Sequence, residues 1–268
     1  MINEIEQVAL RAARAAGRIH LKRLSRITIN RKSNSIDLVT EADRESEAAI
    51  IDVIHRAFPT HAILAEESGA SAHQSDHRWI IDPLDGTTNF LHGIPHFAVS
   101  IALERNGAIV AGLTYNPAND DLFVAERGKG AFLNDRRIRV AARKTLAEAV
   151  VACGLPHYGR GDLALARNEI AAAQQHFAGL RRLGAATLDL AWIAAGRFDA
   201  YWERDLSPWD LAAGLILVRE AGGFVTDLDG GDAVLTKGQV AAGNDTMHRE
   251  LLRLLKAAAK DPESAKLS

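Results

Sequence analysis

The chain has 268 residues, 47% hydrophobic and 25% charged, a globular balance that excludes disordered, collagen-like and coiled-coil proteins. Its formal net charge is −2 and no run of basic residues stands out, so a nucleic-acid partner is disfavoured. The single cysteine, Cys153, excludes an intrachain disulfide. No apolar run approaches the roughly 18 residues that a membrane span needs. We therefore expect a soluble cytoplasmic protein with no membrane partner.

The first predicted elements are two helices separated by a short strand. Apolar residues at helical spacing predict an amphipathic helix over residues 2–25, and residues 27–31 form the strand candidate. Thr40 suits the N-cap of a second helix that runs to about Ala57. Acidic residues in its first turn complement the helix dipole.

Short apolar runs after Pro59 predict strands, and those from residue 97 onward predict an antiparallel meander. The predicted strands cover residues 62–65, 79–81, 97–103, 108–115, 121–126 and 131–133. Asn106-Gly107 lies between two of these runs, which is a strong hairpin signal.

The second half alternates between strands and helices. Strands are predicted at 150–153 and 198–202, and helices at 163–177, 186–195, 211–221 and 246–259. No linker interrupts this order, so we expect layered α/β packing in a single catalytic domain, 1–268, with a polar tail from about Asp261.

The densest chemical signal is an acidic turn after the apolar strand at 79–81. The strand delivers Asp82 at its end, Pro83 stiffens the turn, and Asp85 can return to the same side. Gly86 permits close backbone approach to a ligand, and the residues after it could begin a short helix whose N–H groups face an anion. This pattern suits a divalent cation that holds a phosphate. The alternative is a helix capped by Asp85, with Asp82 in a surface loop.

Three further acids have simpler interpretations when each is taken alone. Glu66 suits a solvated loop, Asp210 a helix start, and Asp43 dipole complementation. Together with Asp82 and Asp85 they indicate clustered carboxylates, which repel one another unless cations bind. Oxygen ligands without a Cys/His set favour magnesium over zinc. The pattern indicates metal-assisted phosphoryl hydrolysis.

Four segments resemble, in order, the motifs of the inositol monophosphatase family of magnesium-dependent, lithium-sensitive phosphatases. They are Asp-Leu-Val-Thr-Glu-Ala-Asp at 37–43, Glu-Glu-Ser at 66–68, Asp-Pro-Leu-Asp-Gly-Thr-Thr-Asn-Phe at 82–90, and Trp-Asp-Leu-Ala-Ala-Gly at 209–214 with Glu-Ala-Gly-Gly at 220–223. The resemblance spans about residues 5–245. It implies an α/β layered fold, the alternating α-β-α-β-α sandwich of the inositol monophosphatase and fructose-1,6-bisphosphatase type, usually in a homodimer.

The resemblance also implies a catalytic apparatus. The implied metal ligands are Glu66, Asp82, the Leu84 carbonyl, Asp85 and Asp210, which would hold two or three Mg²⁺ ions, with Li⁺ as an inhibitor. Glu66 would share in the first and the weaker third sites. Thr87, linked to Asp43, would orient the metal-bound water for in-line attack on phosphorus, while backbone N–H groups of Gly86 and Thr87 grip phosphate oxygens.

Substrate recognition is implied by residues of the second half. Glu203 matches a carboxylate that hydrogen-bonds substrate hydroxyls, and Ala186 lies in a segment, 184–186, that lines the same pocket. Small residues there suit helix-start packing equally well. Lys32 matches a lysine near the metal site, although alone it is a solvated surface charge. The implied substrate-binding set is Asp85, Gly86, Thr87, Ala186, Glu203 and Asp210.

The sequence thus predicts a phosphomonoesterase that acts on myo-inositol monophosphate, a small phosphorylated polyol. Histidinol phosphate, fructose 1,6-bisphosphate and 3′-phosphoadenosine 5′-phosphate, the substrates of related enzymes, are the alternatives. A second hypothesis is a regulatory binding protein, because some bacterial relatives contact the transcription machinery.

Overall fold

The computed structural model describes residues 4–24, 29–31, 38–156 and 161–260, with the backbone alone at 29–31 and 38–40. Several features named above lie outside the described residues. They are Lys32, Asp37, the first two residues of the predicted strand 27–31, and the polar tail from Asp261.

The described residues form eight α-helices. They are α1 (Glu4–Arg23), α2 (Glu41–Ala57), α3 (Thr87–Leu91), α4 (Leu163–His176), α5 (Ala186–Ala194), α6 (Pro208–Glu220), α7 (Val234–Lys237) and α8 (Asp245–Lys260). The two opening helices confirm the prediction within two residues, and α2 begins directly after Thr40. None of the helices in the described part of the chain is long and apolar enough to cross a membrane.

The first half builds a large sheet beside a two-stranded ribbon. The ribbon pairs β1 (Ile29–Arg31) with β2 (Leu38–Thr40). The sheet contains β3 (Ala62–Ala65), β4 (Gly69–Ala70), β5 (His77–Asp85), β6 (Ala98–Arg105), β7 (Ala108–Asn116), β8 (Asp121–Glu126), β9 (Gly130–Leu133) and β10 (Arg136–Ile138). Its order is β10-β9-β8-β7-β6-β5-β3-β4. Asn106 and Gly107 join β6 to β7 with φ angles of 49° and 76°, which confirms the predicted hairpin.

The second half builds a smaller, mixed sheet. Its strands are β11 (Val150–Cys153), β12 (Gly179–Arg181), β13 (Ala200–Glu203), β14 (Phe224–Thr226) and β15 (Val240–Gly243). Their order is β12-β11-β13-β15-β14. β11 runs parallel to both of its neighbours, whereas β15 is antiparallel to both of its own.

Successive side chains of a strand point to opposite faces of its sheet, so each face packs against a different set of helices. In the large sheet, Ile81 and Ile101 pack against α1 and α2, whereas Ile80 and Ala102 pack toward α5 and α6. In the small sheet, Tyr201 faces α5 and α6. The alternate face of the small sheet packs on α4 and α8. The layers are therefore α-β-α-β-α, which confirms the predicted fold.

The structure corrects several predicted boundaries. The strand predicted to end at Asp82 continues to Asp85. Between the pairs Asp82–Ser100 and Asp85–Ala98, two residues of β5 lie opposite one residue of β6, which forms a β-bulge. Pro83 has no N–H to pair, so it suits this irregular position. The helix predicted from Leu211 begins three residues earlier, at Pro208, and the strand predicted from residue 198 begins at Ala200. The short strands β2, β4, β10, β12, β14 and β15 and the short helix α7 were not predicted.

Candidate active site

Three carboxylates converge where the large sheet meets the central helices. Asp82, Asp85 and Asp210 each offer an oxygen within 4.8 Å of those of the other two. The β5 bulge supplies the first two side chains and the first turn of α6 supplies the third. The backbone N–H of Leu84 donates to Asp82 Oδ1 at 2.9 Å and fixes the turn from within. The structure thus brings together the central part of the predicted metal-ligand set.

Glu66 joins this group because of strand register. β3 and β5 are parallel, with Ala65 opposite Ile81, so the next residues, Glu66 and Asp82, are neighbours at the same edge. The backbone N–H of Glu66 donates to the Ile81 carbonyl at 3.2 Å and continues this pairing. Glu66 is the most exposed of the four acids.

Asp210 has both of the roles that its sequence position suggested. It is the third residue of α6, and its Oδ2 accepts the backbone N–H of Ser207, the helix N-cap, at 2.7 Å. The same carboxylate belongs to the acidic cluster. Helix capping therefore holds the side chain in place for the cluster, and the two interpretations are not exclusive.

Asp85 is held from the opposite half of the chain. Its Oδ2 accepts the backbone N–H of Thr187 at 2.8 Å and the hydroxyl of the same residue at 2.6 Å. Asp85 does not cap α3, whose N-cap is Gly86 and lacks a side-chain hydrogen bond. The sequence offered no signal for this pairing, since nothing marks Thr187 as the partner of a residue 102 positions away.

The electrostatics of the cluster favour a bound cation. Burial raises the pKa of Asp82 well above its usual range, and neighbouring Glu66 adds to the effect. Burial, followed by the charge of Asp85, raises the pKa of Asp210 to about 7. Desolvation of the Glu66 carboxyl group by the surrounding protein, followed by the charge of Asp210, raises the pKa of Glu66 to about 8. Carboxylate oxygens that repel one another are suitable ligands for a hard divalent cation, so the residues fit Mg²⁺.

The predicted catalytic turn lies directly beside the cluster. Thr87 begins α3, and its hydroxyl donates to the Leu84 carbonyl at 3.0 Å. Gly86 has a φ of 83°, and a Cβ there would lie 2.9 Å from the His96 carbonyl oxygen, so glycine is required. Asp43 is buried in the first turn of α2, and β2 immediately before that helix contacts α3. The link between Asp43 and Thr87 stays a prediction.

The predicted substrate residues come from α5 and β13. Ala186 begins α5, so the helix-start interpretation holds, and it directly precedes the Thr187 that binds Asp85. Glu203 ends β13 and accepts a short hydrogen bond from the Tyr201 hydroxyl. Burial raises the pKa of Glu203 to about 8.

Two features behind the cleft were missed by sequence reasoning. A Cβ on Gly154 would lie 1.8 Å from the Glu203 side chain, so the absence of a side chain there makes room for Glu203. The Tyr201 hydroxyl, two residues before Glu203 on the same strand face, is its partner. Strand alternation alone could have placed Tyr201 and Glu203 on one face.

This site, with carboxylates gathered beside a glycine turn and a short helix in a layered α/β fold, is typical of metal-dependent phosphatases. The inositol monophosphatase family model matches residues 1–260. An inositol-1-monophosphatase of Mesorhizobium japonicum is 51% identical over 267 residues, covering 99% of this chain and 98% of its own. A Nus factor SuhB of Pseudomonas aeruginosa is 47% identical over 253 residues, covering 91% and 93%.

The solved structures agree with these sequence comparisons. The extragenic suppressor protein suhB of Bartonella henselae superposes with a TM-score of 0.91 at 47% identity, covering 95% of this chain and 99% of that one. This chain belongs to the inositol monophosphatase family and is a phosphatase.

Proposed function

We propose that the protein is a Mg²⁺-dependent phosphomonoesterase that hydrolyses myo-inositol monophosphate to inositol and phosphate. The observation that carries the proposal is the convergence of Asp82, Asp85 and Asp210 within 4.8 Å. The 51% identical relative named inositol-1-monophosphatase supports the substrate class. Lys32, which lies outside the described residues, remains part of the proposal as a residue near the metal.

The proposed metal ligands are four acidic side chains and one backbone carbonyl. They are Glu66, Asp82, the Leu84 carbonyl, Asp85 and Asp210. A divalent cation held by these residues would supply Lewis-acid stabilisation of the phosphoryl and leaving oxygens and would make water a better nucleophile. The chain itself supplies the order of the site, because Leu84 N–H, Ser207 N–H and Thr187 fix three of the carboxylates.

We assign the attacking water to Thr87 and Asp43. The Thr87 hydroxyl donates a hydrogen bond to the Leu84 carbonyl, so the hydroxyl oxygen can accept a hydrogen bond from water. Buried Asp43 is the proposed partner that orients the same water. Backbone N–H groups of Gly86 and Thr87 are the proposed phosphate donors. This assignment relies on positioning rather than covalent catalysis, as phosphoryl transfer allows.

We assign the polyol to the far side of the cleft. Glu203 is proposed to hydrogen-bond substrate hydroxyls, and its raised pKa lets the carboxyl group serve as donor or acceptor near neutral pH. The backbone N–H of Ala186 lies in the first turn of α5, where N–H groups have no partner within the helix. A substrate hydroxyl is its proposed acceptor.

A panel of phosphate esters tests this function. Phosphate release is measured from inositol 1-phosphate, histidinol phosphate, fructose 1,6-bisphosphate, 3′-phosphoadenosine 5′-phosphate and glycerol 2-phosphate, with Mg²⁺ and with EDTA. We expect Mg²⁺-dependent turnover with the highest kcat/KM on inositol 1-phosphate. Asp85→Asn should abolish it, whereas Asp52→Asn, a change at an exposed carboxylate on α2, should not. Turnover that persists in EDTA, or a better kcat/KM on another ester, would overturn the assignment.

We further propose a cytoplasmic homodimer in which 1–268 forms a single catalytic domain, with two or three Mg²⁺ per subunit and inhibition by Li⁺. Light scattering distinguishes the dimer from a monomer of 29.0 kDa. Calorimetric titration counts the metal ions. Activity that is unchanged in tens of millimolar Li⁺ would contradict the inhibition.

A second candidate is a regulatory role in contact with the transcription machinery. The observation that favours it is the 47% identity to a relative named Nus factor SuhB. We expect tagged Asp85→Asn protein to recover RNA polymerase or its elongation factors from a bacterial lysate, because binding would not need catalysis. Recovery of neither, from folded protein, counts against this role and leaves the phosphatase assignment unaffected.

A further inference from the structure

The carboxylate of Asp85 is tied to helix α5 by one residue. Thr187 donates twice to Asp85 Oδ2, through its backbone N–H at 2.8 Å and its Oγ1 hydroxyl at 2.6 Å. Thr187 is fully buried. Charged acceptors form hydrogen bonds about twice as strong as neutral ones, so this pair of bonds is a firm anchor.

The anchor also completes the helix. The N-cap of α5 is Ala185, which has no side chain able to accept the helix N–H groups. Asp85 takes the place of that cap from 102 residues away. The N-terminus of α5 is thus joined to β5 through the carboxylate that the proposed metal site uses.

The two donors constrain the carboxylate in different ways. A single backbone N–H leaves the group able to rotate about its bond to Cβ. A second donor from the same residue, on the same oxygen, restricts that rotation and fixes the direction in which the remaining lone pairs point. Those lone pairs are the ones available to a cation shared with Asp82 and Asp210.

We propose that Thr187 is a positioning residue of the metal site, whose hydroxyl orients the Asp85 carboxylate toward the divalent cation. This inference rests on the proposed function, since it presumes that the cluster binds Mg²⁺. Thr187 acts through Asp85 and needs no contact with the substrate. Partners that hydrogen-bond a ligating carboxylate typically change metal affinity by about 10- to 100-fold when they are removed.

The hydroxyl can be removed without changing the shape of the site. Thr187→Val keeps the branched side chain and the backbone N–H, and it deletes the 2.6 Å bond alone. Thr187→Ser restores the hydroxyl and omits the methyl group. The matched control is Thr114→Val, which alters another fully buried threonine whose hydroxyl has no hydrogen-bond partner within the described residues.

The experiment measures Mg²⁺ binding by calorimetric titration in the absence of substrate, together with kcat and KM at saturating Mg²⁺. We expect the Kd for Mg²⁺ to rise by about 10- to 100-fold in Thr187→Val and by less than about threefold in Thr187→Ser and Thr114→Val. The kcat at saturating Mg²⁺ should fall by a smaller factor than the Kd rises, because the expected loss is one of metal affinity.

The outcomes separate the inference from the function on which it rests. Wild-type affinity in folded Thr187→Val, or an equal loss in Thr114→Val, overturns the positioning role while the phosphatase assignment stands. Failure of the wild-type protein to bind Mg²⁺ overturns the proposed function itself. Should Thr187→Val not fold, Thr187→Ala is measured against Thr187→Ser by the same criterion.

Discussion

The two halves of the chain contribute to the cleft in contrasting ways. The first half supplies most of its residues in one continuous segment, from Asp82 to Thr87, and adds Glu66 from the end of β3. The second half supplies single side chains from separate elements: Asp210 from α6, Thr187 from α5 and Glu203 from β13. Charge is therefore concentrated in a local motif, whereas the support and shape of the cleft depend on tertiary contacts.

This difference has an energetic side. Burial raises the pKa values of Asp82 and Asp85, and the charges of Glu66 and Asp85 raise that of Asp82 further. Thr187, in the second half, offsets part of this rise, because its two hydrogen bonds favour the ionised form of Asp85. Without a cation the cluster should therefore destabilise the folded protein, and a bound cation should stabilise it.

The largest expected effect tests this claim directly. Asp82→Asn removes a charge but keeps an oxygen that can accept the Leu84 N–H. We expect phosphate release to fall by about a thousandfold, because a bound metal contributes several kcal/mol to the transition state. In EDTA the same variant should unfold at a higher temperature than wild type, since buried repulsion is relieved. Thermal melts with and without Mg²⁺ measure both effects.

The control for this prediction is Asp52→Asn on α2, where the carboxylate is exposed and pairs only with Arg56 among the contacts described. It should behave as wild type in both conditions. An Asp82→Asn protein less stable than wild type in EDTA would show that the cluster is not strained.

The next effect concerns the second half. Gly154→Ala would place a Cβ 1.8 Å from the Glu203 side chain and displace it. We expect the KM for inositol 1-phosphate to rise by about 10- to 100-fold, the cost of leaving a buried substrate hydroxyl without its hydrogen-bond partner. The Kd for Mg²⁺ should stay unchanged, because Glu203 is not among the proposed metal ligands.

Gly179→Ala provides the comparison for Gly154→Ala. Its Cβ would meet only the flexible end of Arg181 on edge strand β12, at 3.1 Å. Its kinetics should match wild type. An equal KM for Gly154→Ala and wild type would remove Glu203 from the substrate site.

The same contrast explains what could be predicted from the sequence. The acids at 82–85 were found because spacing and residue type are local, and continuous apolar runs marked the long strands around them. The short strands β12, β14 and β15 were missed because a run such as Val240–Gly243, rich in small residues, has no period of its own and is stabilised by its neighbours. The extension of β5 through Pro83 was missed because it depends on a bulge opposite β6.

A smaller expected effect is the pH dependence of stability caused by His20 of α1, which packs near Phe90 and Phe97. Burial lowers the pKa of His20 to about 3, with the Pro83 backbone opposing the shift. The unfolded chain binds a proton near pH 6.5, so this residue reduces stability as pH falls from about 6.5 toward 3. At pH 5 the loss should be about 2 kcal/mol.

Denaturant titrations of wild type and His20→Gln at pH 7 and pH 5 isolate this contribution. The variant loses packing at both pH values, so the informative quantity is the difference between the two free energies of unfolding. We expect that difference to be about 2 kcal/mol smaller in the variant. Equal pH dependence in the two proteins would show that His20 is protonated without penalty.

The smallest effect tests how firmly the second half holds its substrate residue. Tyr201→Phe deletes the hydroxyl that donates to Glu203 and leaves the buried ring in place. One hydrogen bond contributes about 1 kcal/mol, so kcat/KM for inositol 1-phosphate should fall about fivefold, chiefly through KM. The matched control is Tyr115→Phe, which deletes a hydroxyl bonded to Asp120 at 2.9 Å, away from the cleft. A purely structural role for Tyr201 would lower stability in both variants alike and leave KM unchanged, whereas a positioning role raises KM in Tyr201→Phe alone.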